Sequence, residues 1–134
     1  MMNKIDYGET PEFQKDFKRL LKKFRSLECD FELAKIAVIE LFHIGIPNPQ
    51  GVFEKKDIRA IFPVEGFCTE EIQICKIKKF ACKALKGKGA RSGVRVIYAF
   101  HTKILKIVFM EIYYKGNQEN DNKKRIEMYL DNDK

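Results

Sequence analysis

From Ile72 to Met110 the chain contains no aspartate and no glutamate, although 19 acidic residues are spread over the rest of its 134 positions. A two-carboxylate hydrolytic mechanism would have to draw its acids from outside this span. Long apolar runs are missing as well. None approaches the roughly 18 residues of a membrane span, and MMNKIDYGETPEF lacks the apolar core of a signal peptide. The expectation is a cytoplasmic chain with no membrane partner. Histidine is scarce, with His43 and His101 alone, and Cys29, Cys68, Cys75 and Cys82 form no CxxC pair. A zinc site is disfavoured by that spacing, and buried reduced thiols are expected, with no metal and no cofactor. Gly87-Lys88-Gly89 lacks the spacing and the Lys-Ser/Thr pair of a phosphate-binding loop and leads into a strand rather than a helix. No GxSxG elbow is present.

The acid-free span is densely basic. Lys76, Lys78, Lys79, Lys83, Lys86, Lys88, Arg91, Arg95, Lys103 and Lys106 give it a charge of +10 in a chain of net charge +7, which leaves −3 on the remainder. Like charges gathered this way repel one another, so a cationic surface of this kind points to a polyanionic partner.

At this length the chain is expected to form a single domain spanning residues 1–134, large enough to bury a core without disulfides or metals. Thr10 and Pro11 read as a helix start, a capping oxygen followed by a residue whose fixed φ suits the first turn. Phe13, Phe17, Leu20, Leu21 and Phe24 then recur at helical spacing, with charged residues between them. A second helix is expected from about Asp30, a plausible cap, to Gly45 and Pro47. The short link makes the pair a helical hairpin. Residues 46–71 carry Pro47, Pro49, Gly51, Pro63 and Gly66 and read as irregular, with Asp57 to Phe62 as a turn of helix or an edge strand. Beyond them EIQICKIKKFACKAL, GVRVIYAF and KILKIVFMEIYYK are rich in β-formers and joined by short links, which predicts successive antiparallel strands. Ile104 to Tyr114 is apolar on both parities and therefore central, and Asp121 to Leu130, with Ile126 and Leu130 four apart, predicts a covering helix. The expected class is α+β: an N-terminal helical hairpin packed on a three- to four-stranded antiparallel sheet, with a short C-terminal helix.

Lysine, arginine and tyrosine suit one reaction class. When RNA is cleaved by its own 2′-hydroxyl, cations stabilise the charge that builds on phosphorus, and a lysine whose pKa is lowered by neighbouring cations can carry a proton. Lys76 and Lys78 are two apart and so share a strand face. Arg95 can grip the same phosphate if its register brings it there, and Tyr113 can stack on a base or pass a proton. Gly87, Gly89 and Gly93 make the loop between these strands slim enough for its cations to approach a nucleic-acid backbone. His101 falls in a strand turn and is given no catalytic role.

CKIKKFACKALKGKGARSGVRVIYAF followed by FMEIYYKGNQEND resembles the RelE/HigB/ParE superfamily of toxins from bacterial type II toxin–antitoxin systems. The order of a cationic strand, a glycine-rich basic loop, a G-x-R-x-I-Y strand and an I-Y-x-K strand carries the likeness, which covers residues 72–130 and, more loosely, the hairpin opened by EFQKDFKRLLKK. The resemblance implies a RelE-like fold and metal-independent cleavage of mRNA on the ribosome, inhibiting translation. It also implies a cognate antitoxin protein as partner. Its paired strand lysines fall on Lys76 and Lys78, its phosphate-gripping arginine on Arg95, and its I-Y-x-K element on Tyr113 and Lys115. Lys83, Lys86, Lys88, Arg91 and Lys115 are the expected RNA-binding cations. Two alternatives remain open: a ParE-like inhibitor of DNA gyrase, and a non-catalytic nucleic-acid or protein-binding module on the same fold.

Overall fold

A computed structural model of the chain describes residues 5–47, 49–54, 60–78, 93–116, 118 and 121–132. Strand β1 (Asp6–Glu9) leads directly into helix α1 (Pro11–Lys23). Thr10 caps that helix, its Oγ1 accepting from the Phe13 amide at 3.2 Å, and Pro11 occupies the first turn. After a short link comes α2 (Leu27–Ala34), which continues through a π-helical segment (Lys35–Glu40) into a last turn (Leu41–His43). A two-residue strand pair follows, β2 (Ile46–Pro47) with β3 (Phe53–Glu54). The main sheet then takes β4 (Ile61–Pro63), β5 (Ile72–Ile77), β6 (Val94–His101) and β7 (Lys106–Tyr114), and α3 (Lys123–Asn132) ends the described chain.

The main sheet has five strands in the order β1-β7-β6-β5-β4. The α+β class holds, but the sheet is mixed rather than wholly antiparallel, because β1 runs parallel to β7 at one edge. Its four residues, DYGE, are too short to display an alternation, and the strand is defined by its partner instead. Two more expectations change. The second helix starts at Leu27, and Asp30 lies within its first turn, where its Oδ2 accepts from the Ser26 hydroxyl at 2.7 Å. Within 46–71 the edge-strand alternative is realised by Ile61–Pro63, while residues 55–59 lie outside the described region.

Two apolar layers enclose the sheet. On one face α1 and α2 bury Phe13, Leu20, Leu27 and Phe31 against Val96, Tyr98, Ile107 and Phe109. On the other, Ile126 of α3 packs with Ile74, Ile97, Ala99, Met110 and Tyr113. Covered on both sides, β7 is apolar at both parities for that reason. The second layer is the thinner one, and Ile126 is the buried residue of α3. Polar contacts do much of the holding there. Arg125 reaches across to α1 and forks onto Asp16, a nearly fully buried carboxylate, and also donates to the Met110 carbonyl. At the far end His101 Nε2 and the Tyr129 hydroxyl lie 2.6 Å apart.

The cysteines divide. Cys75 is buried, and burial pushes its thiol up to about 12, but Cys29 and Cys68 are exposed, so the expectation of uniformly buried thiols fails for both. Cys82 lies outside the described residues. Among the described residues no helix is long and apolar enough to cross a membrane.

Candidate functional site

Strand register decides which cations meet. On β5, Cys75 and Ile77 point into the α1/α2 layer, so Lys76 and the following Lys78 face α3. On β6, Val94 and Val96 belong to the α1/α2 layer, which turns Arg95 to the α3 side. Ile77 pairs with Val96, so Lys78, one step further along, stands opposite Arg95, and Arg95 is paired with Tyr113 on β7.

Tyr113 reaches this face through an irregularity. Ile97 pairs with Glu111 but Tyr98 pairs with Phe109, leaving Met110 as the extra residue of a β-bulge. Without the bulge, Tyr113 would share the parity of Phe109 and point into the α1/α2 layer. With it, Tyr113 joins the α3 layer and Tyr114 turns the other way, edge-on to Phe24. The bulge also turns Glu111 toward the approach to α3, where the buried carboxylate accepts from the Asn122 amide and Gln118 Nε2, each at 2.8 Å.

One end of the sheet therefore presents Lys76, Lys78, Arg95 and Tyr113 together, in two different electrostatic states. Lys78 is exposed, with its ammonium 4.7 Å from the centre of the Phe62 ring. Arg95 is half-buried, and its only side-chain hydrogen bond among the described residues is a long one, 3.4 Å, to the carbonyl of neighbouring Val94. Neither has an acidic partner there.

Lys76 differs. Its ammonium donates to Asp121 Oδ1 at 2.9 Å, and the two side chains are only 15% and 8% exposed. Burial alone would lower the lysine pKa, yet hydrogen bonding to Asp121 and Tyr113 outweighs it and holds the ammonium above its ordinary value. The expectation of a lysine with a lowered pKa is corrected: Lys76 is locked in its charged form. Asp121, the partner, lies 45 residues away in sequence, just before α3. Burial opposes its charge too, and Lys76 more than compensates, leaving its carboxyl below the usual range.

Tyr113 is 4% exposed, and its ring centre is 5.7 Å from the Lys76 ammonium. Burial raises its pKa and outweighs Lys76, which pulls the other way, so the phenol stays neutral. Stacking on a base is closed to it while α3 is docked. Phe62, overlooked in the sequence, is the better platform: at 37% exposed it lies directly across from Lys76 on the edge strand β4. Its sequence signal is weak, one of three phenylalanines in the irregular stretch 46–71.

Lys115 is exposed in the turn after β7, and its amide donates to the Gly93 carbonyl at 2.8 Å. Gly93 adopts φ +90°, a conformation that suits glycine, as it enters β6. Lys83, Lys86, Lys88 and Arg91, with Gly87 and Gly89, lie outside the described residues. Among the described residues, no group of three His, Cys, Asp or Glu side chains could hold a metal ion. The chain matches no family model and no curated protein sequence.

Proposed function

We propose that this chain is the toxin of a type II toxin–antitoxin system, a metal-independent endoribonuclease that cleaves mRNA on the ribosome and inhibits translation. The observation that carries the reading is the convergence of Lys78, Arg95, Lys76 and Tyr113, from three adjacent strands, on one face at one end of the sheet. The resemblance of residues 72–130 to the RelE/HigB/ParE superfamily supports it.

The chemistry follows from the charge states. Arg95 grips the scissile phosphate through its planar fork, and Lys78 adds a second positive charge, so both stabilise the charge that develops on the phosphate oxygens. The 2′-hydroxyl attacks phosphorus and loses its proton to water, since neither Lys76 nor Asp121 is poised to take it. The bond to the 5′-oxygen breaks, leaving a cyclic phosphate and a 5′-hydroxyl end, and Tyr113 supplies the proton to the departing oxygen. Lys76 acts as a fixed charge. Phe62 stacks a flanking base, and Lys115 and the loop cations hold the backbone. The cognate antitoxin presents an acidic segment to the same face, because the +10 span would otherwise be left uncompensated in the inactive complex.

A second reading has one observation in its favour. Of the four converging residues, the Lys76–Asp121 pair and the buried Tyr113 leave Lys78 and Arg95 accessible, as would suit a binding module without chemistry. Expression from a tightly controlled promoter separates the readings, with growth, protein synthesis and mRNA 5′ ends followed together. New 5′ ends within translated messages are the expected result. Arrest with relaxed DNA and unchanged messages would instead identify a gyrase inhibitor, and unperturbed growth a binding module.

A further inference from the structure

We infer that the Asp121 carboxylate is a built-in occupant of the phosphate site, and that a nucleic-acid phosphodiester binds Lys76 by taking its place. The inference rests on the nucleic-acid reading above and adds the regulation of that site.

Three observations converge on it. First, the cationic face has three members among the described residues, of which Lys78 and Arg95 lack an acidic partner there while Lys76 is paired with Asp121. The partner comes from outside the sheet and from outside the acid-free span. Second, Asp121 uses one of its two oxygens on Lys76. Oδ1 accepts from the ammonium, while Oδ2 is buried and, among the described residues, has no hydrogen-bond partner. A phosphodiester presents the same pair of negatively charged oxygens, and its second oxygen would face Arg95 and Lys78 along the sheet. Third, the carboxylate is carried on a segment outside the sheet. It precedes α3, whose buried apolar anchor is Ile126, and its tethers are the polar contacts of Glu111 with Gln118 and Asn122 and of Arg125 with Asp16. Departure of Asp121 would also uncover Tyr113, which lies beneath the same corner.

Competition of this kind keeps Lys76 closed to weak or solitary anions. A polyanion that engages Lys78 and Arg95 first attains the local concentration needed to displace the carboxylate from Lys76.

The test is a binding titration of a fluorescein-labelled oligothymidylate, followed by anisotropy over a series of salt concentrations. This deoxy probe lacks the 2′-hydroxyl and cannot be cleaved by the proposed route, so the outcome does not depend on whether the chain is a nuclease. Asp121→Asn is expected to bind roughly tenfold tighter than wild type, the scale of one additional charge-assisted hydrogen bond to a phosphate. Its plot of log affinity against log salt should steepen by about 0.7, the value of one further phosphate neutralised on a single strand. Glu127→Gln, which removes a negative charge from an exposed position on α3, should change affinity less than about twofold. In a Lys76→Met background the tightening produced by Asp121→Asn should vanish. Equal effects of Asp121→Asn and Glu127→Gln, persistence of the tightening without Lys76, or no binding by wild type and variant alike would overturn the inference. If Asp121→Asn does not fold, the wild-type protein still decides the matter: the Asp121 carboxyl carbon resonance should move on saturation with the probe, and an unmoved resonance would refute displacement.

Discussion

Removing the Arg125 side chain tests how α3 is held to the rest of the molecule. The guanidinium forks onto both oxygens of Asp16, which is 4% exposed, and Arg19 also approaches that carboxylate, 3.6 Å from Oδ1. In Arg125→Met the apolar stem is retained while the buried carboxylate loses its main partner. Breaking a buried pair by removing one member typically costs about 3–5 kcal/mol, because the other charge is left uncompensated. Here the cost is smaller. Arg125 is 26% exposed, and Arg19 stays to share the charge, which brings the expectation to about 2–3 kcal/mol. At roughly 2 cal/mol/K of unfolding entropy per residue, a chain of 134 residues melts about 3–4 °C lower for each kcal/mol, so the melting temperature should fall by roughly 7–11 °C. Thermal unfolding followed by circular dichroism measures this. The decisive quantity is the coupling with Asp16→Asn, since neutralising the carboxylate should remove most of the penalty of losing the arginine. Coupling below about 0.5 kcal/mol in the double-mutant cycle would refute the clasp as the tether of α3.

Phe109 lies within 6.0 Å, ring centre to ring centre, of Tyr7, Phe13, Phe31 and Tyr98, so Phe109→Ala should cost about 3–5 kcal/mol by chemical denaturation. Gly93→Ala should cost about 1–3 kcal/mol, because φ is +90° and a Cβ there would meet the Tyr114 ring at 3.3 Å; a neutral substitution would show that the β6 entry tolerates a side chain. The Lys76–Asp121 pair makes stability depend on pH at both extremes. Asp121 has a lowered pKa, so its contribution is present above the ordinary carboxyl value of about 3.9 and is lost as pH falls through the folded value. Lys76 has a raised pKa, so its contribution is present below about 10.4 and is lost as pH climbs past the folded value. The melting-temperature difference between wild type and a Lys76→Met, Asp121→Asn double variant should therefore be flat from about pH 5 to 9 and move against wild type outside that window. A difference that stays flat down to strongly acid pH would show that the pair does not form.

Local signals account for the elements that are legible in the sequence. Thr10-Pro11 and the Phe13–Phe24 stripe define α1 because capping and amphipathic burial act within a few residues of one another. The two-sided apolarity of β7 announces a strand covered on both faces, and Ile126 announces α3. What stays hidden depends on partners distant in sequence. β1 is ordered by parallel hydrogen bonding to β7, beginning with the Asp6 amide on the Leu105 carbonyl. The Met110 bulge that delivers Tyr113 to the cationic face leaves no mark on the alternation of FMEIYY. Within the site, residue types and strand parity bring Lys76, Lys78 and Arg95 to one face, but nothing local couples Lys76 to Asp121. Sequence therefore leaves open which way the pKa of this lysine moves, which is fixed by a carboxylate that only the tertiary fold brings near.

Arg95 is the residue on which the proposed chemistry turns, because no acidic group among the described residues occupies it and the scissile phosphate is assigned to its fork. Wild type, Arg95→Ala and Arg95→Lys should be expressed in growing cells with mRNA 5′ ends mapped, and the purified proteins melted in parallel. Wild type should cleave translated messages, and Arg95→Ala should lose on the order of 10²-fold or more of that rate while remaining folded. Arg95→Lys should recover little, since an ammonium cannot reproduce the planar two-point contact. A folded Arg95→Ala protein that cleaves mRNA at the wild-type rate would remove Arg95 from the site.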